Sequence, residues 1–136
     1  MKLESTQHPT RGIINKDGVA INLSKLLKAI NGRLEIVLDR DHTIGHSYFF
    51  RVKSFNDLKK VFKNQIIPLL EEYFYNNYEK VGMILGSKFV QLKKNVNIDL
   101  KEIEGLENID LFEEKKIFEV THHSKWSAKS FISIYE

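Results

Sequence analysis

The stretch DRDHTIGHSYFF, Asp39 to Phe50, crowds three charged residues, two histidines, a glycine and three aromatics into one short segment. His42 and His46 stand four positions apart, the spacing that on a helix sets two imidazoles on one face in the manner of metal ligands. Thr43 is β-branched, Gly45 intervenes and no third ligand is spaced to complete a site, so the pair reads as polar loop histidines. Arg40, His42 and His46 around Gly45 offer a different chemistry. A loop that leads into a helix start carries free amides beside its side chains, and together they can face an anion. Tyr48, Phe49 and Phe50 read as core.

Other constellations exclude more than they select. EIVLDRD, Glu35 to Asp41, copies the apolar run plus acid that holds Mg²⁺ in phosphate-loop enzymes, but its apolar residues belong to a helical stripe and no GxxxxGK[ST] accompanies it. Gly86-Ser87-Lys88 lacks the upstream glycine and has the wrong order to cradle phosphates. Glu71 and Glu72 are consecutive on a helix and point in different directions, which suits solvation or a basic neighbour rather than glycoside chemistry. His122-His123, beside Ser124, Lys125 and Trp126, reads as a hairpin turn. Five histidines without a paired Ser or Cys nucleophile form no triad pattern. Lys59, Lys60, Lys63, Lys93 and Lys94, with Tyr and Trp for stacking, could meet nucleic-acid phosphates, although solvated faces account for the same lysines.

The totals set the frame for these residues. A chain of 136 residues that is 42% hydrophobic suits one soluble globular domain, or a small domain with an appendage. Nine Phe, five Tyr and one Trp supply enough apolar surface to build a core without metals or disulfides. The absence of cysteine excludes a disulfide framework, a zinc ribbon and a thiol nucleophile, and fits a reducing compartment. No apolar run approaches a membrane span and MKLESTQHPTRG has no signal-peptide core, so a cytoplasmic protein without a membrane partner is expected. The net charge of +3 is spread among acids and is weak support for nucleic acid.

The elements follow from periodicity. Residues 1–21, with a turn signal at Asp17-Gly18 and short β-like stretches on either side, read as a connector. Leu23, Leu26, Leu27, Ile30, Leu34, Val37 and Leu38 make the stripe of an amphipathic helix with Asn22 or Ser24 as its cap, Lys25, Lys28 and Arg33 lying off it. Gly32 would let a neighbour approach closely. A second helix opens at Ser54 with Asp57 in a capping-box-like role and buries Phe55, Leu58, Val61, Phe62, Ile66, Leu69, Leu70 and Phe74. Pro68 demands a kink or break near Asn64 to Ile67. A short helix, Tyr78 to Leu85, stops at Gly86. KFVQL (Lys88 to Leu92), KIFEV (Lys116 to Val120) and KSFISIY (Lys129 to Tyr135) read as antiparallel strands, with an exposed acid-rich loop and short helix over Asp99 to Glu114 between the first two. The expectation is an α+β fold: a connector over 1–21, a helical bundle over 22–86, and a β-rich extension over 87–136 that forms a small antiparallel sheet or hairpin tail.

DRDHTIGHSYFF, with LLKAINGRLEIVL before it and IIPLLEEYFY at Ile66 to Tyr75, resembles the C-terminal lid region of McrB-type AAA+ proteins, the nucleotide-driven motors of modified-cytosine-specific restriction systems. In that family an IGHSYF element, here Ile44 to Phe49, precedes a PLLEEYF element, here Pro68 to Phe74. The likeness covers about Ile13 to Gly86. It implies a helical lid that closes over a nucleotide, with Arg40 and His46 facing the nucleotide edge and Ser47 and Tyr48 fixing the local turn. It also implies an AAA+ large domain and neighbouring ring subunits as partners, an McrC-like nuclease subunit beyond them, and DNA met through the assembled complex. GTP or ATP with Mg would belong to the full-length parent. The family's Walker A, Walker B, sensor and arginine-finger segments have no counterpart here, so the chain alone is expected to need no cofactor and to hydrolyse no nucleotide, as a fragment, a separate lid or the product of a truncated gene. A free-standing basic module that binds nucleic acid or protein is the alternative, and an independent small hydrolase has no nameable catalytic group.

Overall fold

The computed structural model of the chain describes residues 12–99 and 112–136. Asp17 and Gly18 both adopt positive φ, 52° and 77°, the conformation of a two-residue turn whose twist matches that of paired strands. They join β1 (Ile13–Lys16) to β2 (Val19–Asn22), so the stretch read as a connector forms a hairpin. Ile14 and Ile21 sit opposite each other in it, and both are buried.

Asn22 ends β2 and caps α1 (Leu23–Val37), its side-chain oxygen accepting from the Lys25 amide at 3.0 Å. The expected stripe is the buried one: Leu23, Leu26, Leu27, Ile30 and Leu34 face the core, and Glu35 to Val37 of the metal-site look-alike are helical. Gly32, however, is exposed, and a Cβ there would meet nothing within 4 Å. The close approach lies at Gly82, where a Cβ would stand 3.2 Å from Val90 Cβ.

Ser54 caps α2 (Phe55–Val61) by accepting from the Asp57 amide at 3.1 Å, while the Asp57 carboxylate reaches back to the Lys53 amide. A π-turn, Phe62–Ile66, then widens the helix before α3 (Ile67–Tyr73). Pro68 is the cause: its ring would strike the Asn64 carbonyl of a regular α-turn and it has no amide to offer. The widened turn falls where the break was expected. Asn77 caps α4 (Tyr78–Leu85), which ends at Gly86 with φ 91°.

β3 (Val90–Asp99) and β4 (Phe112–Val120) pair antiparallel, with a bulge between Leu92 and Lys94. Of the acid-rich loop expected over Asp99 to Glu114, Asp99 and Phe112 to Glu114 belong instead to the strands, and residues 100–111 lie outside the described residues. The third expected strand is overturned. Ala128–Tyr135 is a helix, α5, opened by a reciprocal capping box between Ser127 and Ser130. Its buried residues Ala128, Phe131 and Ile134 recur every three positions, a helical period that the short apolar run disguised as alternation.

One apolar cluster gathers the β1–β2 hairpin, helices α1 to α5 and the Val90–Val120 end of the β3–β4 pair. At its centre Phe62, Phe89 and Phe131 are fully buried, with Phe131 set edge-on to Phe62 at 4.9 Å and to Phe89 at 5.1 Å. Arg33, expected on the wet side of α1, is half-buried. Its guanidinium donates to the Ile84 carbonyl at 2.7 Å and to the Ile134 carbonyl, closing the C-terminal ends of α4 and α5 together. The Asn22 amide donates to the Tyr135 hydroxyl at 3.0 Å, a second tie to α5.

Candidate functional site

The chain between α1 and α2 makes a corner of two 3₁₀ turns. Asp39 caps the first, Arg40–His42, by accepting from the His42 amide at 2.9 Å, and the same oxygen lies 2.6 Å from His42 Nδ1. This bond to His42 holds the Asp39 carboxyl below the usual carboxylate range, against a partial burial that pushes it up. The His42 ring in turn stands edge-on to Tyr73 of α3 at 5.0 Å. Burial raises the Tyr73 phenol, and Tyr48, Glu72 and Asp39 add to the shift. The two histidines of the opening motif therefore have separate surroundings, and among the described residues no group of three metal-ligating side chains forms.

The second turn, His46–Phe49, is positioned from both ends. Asn31 of α1 donates to the Ile44 carbonyl at 2.9 Å and accepts from the Ile44 amide at 2.6 Å, and the Ile44 side chain is buried. At the far end Phe49 is buried and lies nearly parallel to Phe62 at 6.3 Å. Gly45 between them has φ −78°, which any residue can adopt, and a Cβ there would meet only Ser47 Oγ at 3.8 Å.

The four expected site residues are thus carried by one corner. Arg40 lies on its first turn, with Nε 3.7 Å from a Glu35 oxygen and a side chain 87% exposed, a contact worth on the order of a few tenths of a kcal/mol. His46 and Ser47 project from the second turn and are exposed, whereas Tyr48 is half-buried against the core. No hydrogen bond among the described residues joins Arg40 to His46, Ser47 or Tyr48. Phe50, expected in the core, is instead 85% exposed, and Ile36 near the end of α1 is 86% exposed. Sequence reading passed over Asn31, which holds the corner, and the Asp39–His42–Tyr73 chain. The Asp-x-x-His spacing was the available signal for the cap, and nothing local signals a bond to Ile44.

His122-His123 is not a hairpin turn. The pair stands at the exit of β4, where His123–Lys125 forms a 3₁₀ turn that leads into α5. No helix among the described residues is long and apolar enough to cross a membrane.

A striped helix, an anchored double turn and a proline-widened helix pair, with an exposed polar corner, define a small helical lid-like domain. Residues 22–82 match the family of the McrB alpha-helical lid domain, and this part of the chain is similar to a lid of that kind. The matched residues begin at the cap of α1 and end within α4, taking in the whole corner. Among curated proteins no relative matches the chain.

Proposed function

We propose that the chain acts as the lid and oligomerisation element of an McrB-like AAA+ restriction protein and is not catalytic by itself. In this reading the large AAA+ domain holds GTP or ATP with Mg, and the lid closes over it. Closure then passes to the neighbouring ring subunits, to an McrC-like nuclease subunit and so to DNA. The observation that carries the reading is the corner itself. Within the matched residues, Arg40, His46 and Ser47 are held out to solvent on turns tied to α1 through Asn31 and Ile44. A cation and an imidazole carried on anchored turns can favour the phosphate-bound, closed arrangement over the open one, which is what a lid must do. Exposed Ile36 and Phe50 on the same part of the chain supply apolar surface for the large domain.

The test adds the chain to the separately produced AAA+ domain of an McrB-like protein. The chain alone should turn over neither GTP nor ATP. With the large domain present it should tighten nucleotide binding, and Arg40→Ala with His46→Ala should remove roughly tenfold of that gain. Equal nucleotide affinity with and without the chain would sink the reading.

The second reading is a free-standing basic module for nucleic acid or protein. It draws on Lys59 and Lys63, which form no ion pair with a carboxylate among the described residues.

A further inference from the structure

Outside the matched residues 22–82, β3 and β4 form a sheet of two strands, and among the described residues β4 pairs with β3 alone. The Val90–Val120 end of this ribbon joins the core cluster, and one edge of β4 has no strand beside it among the described residues. A two-stranded ribbon is marginally stable in water, and an open edge presents a row of backbone donors and acceptors to a further strand.

The register fixes which residues share a face. Phe112, Glu114, Lys116 and Phe118 alternate along β4 and stand opposite Asp99, Asn97, Asn95 and Leu92 of β3. Glu114 and Lys116 therefore each meet an asparagine across the ladder rather than an opposite charge. In reverse order the same face runs Phe, Lys, Glu, Phe, so it is complementary to itself. Two copies of one strand related by a two-fold axis keep paired residues on the same face, which requires the axis to fall on a residue. With the axis at Lys115, Phe112 of each copy stands opposite Phe118 of the other, and Glu114 of each opposite Lys116 of the other. An axis at Glu114 or Lys116 instead puts a like charge at the centre and a phenylalanine against a charge.

We propose that a second copy of this chain pairs along the open edge of β4, the two ribbons joining into one four-stranded antiparallel sheet about a two-fold axis at Lys115. The paired span runs from Phe112 to Phe118 in each copy. Phe118 is half-buried, and Leu92 opposite it is 47% exposed, so Phe112 of the second copy extends an apolar row across the sheet. On the other face Lys115 meets its own counterpart, with Glu113 of the second copy on the diagonal. At a rise of about 3.4 Å per residue, the two Val120 residues stand roughly 34 Å apart along the strands, which sets the two cores at opposite ends of the sheet. The surface is independent of the lid reading, since it lies outside residues 22–82.

The test uses the 136-residue chain. Sedimentation velocity over a range of concentrations should show a monomer–dimer equilibrium. Lys116→Glu alone, or Glu114→Lys alone, sets like charges opposite each other at two places across the interface and should weaken dimerisation roughly tenfold. An equimolar mixture of the two variants restores both charge pairs and should dimerise within roughly threefold of the parent, which also shows that the variants fold. The chain has no cysteine, so Lys115→Cys, which meets its own counterpart at the axis, should oxidise to a linked dimer, whereas Glu113→Cys, placed opposite Ile117, should not. A chain that stays monomeric at every concentration overturns the proposal. So does a dimer indifferent to Lys116→Glu, which must use another face, or a mixture of the two variants that remains monomeric.

Discussion

Asn31 and Ile44 exchange two hydrogen bonds, amide side chain to backbone, at 2.9 and 2.6 Å, and through them the middle of α1 holds the loop that separates the two turns of the corner. Asn31→Ala would strand both backbone groups of a residue whose side chain is buried. The expected loss is about 1–3 kcal/mol in chemical denaturation. Asn31→Asp keeps the acceptor for the Ile44 amide and loses the donor, so it should fall between the two. Equal stability of Asn31→Ala and the parent would show that the corner stands without this clamp.

The C-terminal helix lies outside the matched residues 22–82 yet shares the core. Phe131→Ala, a change at a fully buried ring in contact with Phe62 and Phe89, should cost about 3–5 kcal/mol, as much as Phe62→Ala within the match. Arg33→Met leaves the carbonyls of Ile84 and Ile134 without their donor and should cost about 2–4 kcal/mol. Thermal or urea unfolding decides both, and a wild-type midpoint for Phe131→Ala would separate α5 from the domain.

Two glycines should answer alanine oppositely. At Gly45, with ordinary φ and open space, Gly45→Ala should be neutral or stabilise by about 0.4–1 kcal/mol. At Gly86, with φ 91° and ψ 175°, Gly86→Ala forces a side chain into backbone space reserved for glycine and should cost about 1–3 kcal/mol. Unfolding midpoints of the two variants give the comparison.

Two side chains set signed pH dependences. The lowered Asp39 carboxyl contributes stability that is complete above its ordinary value of 3.8 and is lost as pH falls through its folded value, so Asp39→Asn should flatten the most acidic part of the stability profile. His123 is also lowered, but for a base the sense is different: the unfolded chain takes up the proton first. Stability therefore falls as pH drops below 6.5, until the folded histidine is protonated as well. His123→Gln should remove that decline while leaving the Asp39 limb in place. Unfolding curves from neutral to acid pH check both signs.

Where neighbours in sequence carry the decision, the sequence by itself determined the outcome. The apolar stripe of α1, the Ser54 cap, the disturbance ahead of Pro68 and the stop at Gly86 are all matters of a few consecutive residues and their steric rules, while the structure chose Asn22 over Ser24 as the cap of α1. Tertiary structure decided what depended on distant partners. Lys129 to Tyr135 has too few apolar residues to separate a period of two from one of three, and burial of Phe131 against Phe62 and Phe89 settles it as a helix. Phe50 extends an aromatic run, but Phe49 already fills the place beside Phe62, so the next ring is left to solvent. Asn31 and Arg33 look like ordinary polar helix residues until the fold brings Ile44, Ile84 and Ile134 within reach, because a hydrogen bond needs a partner whose position only the packed core fixes.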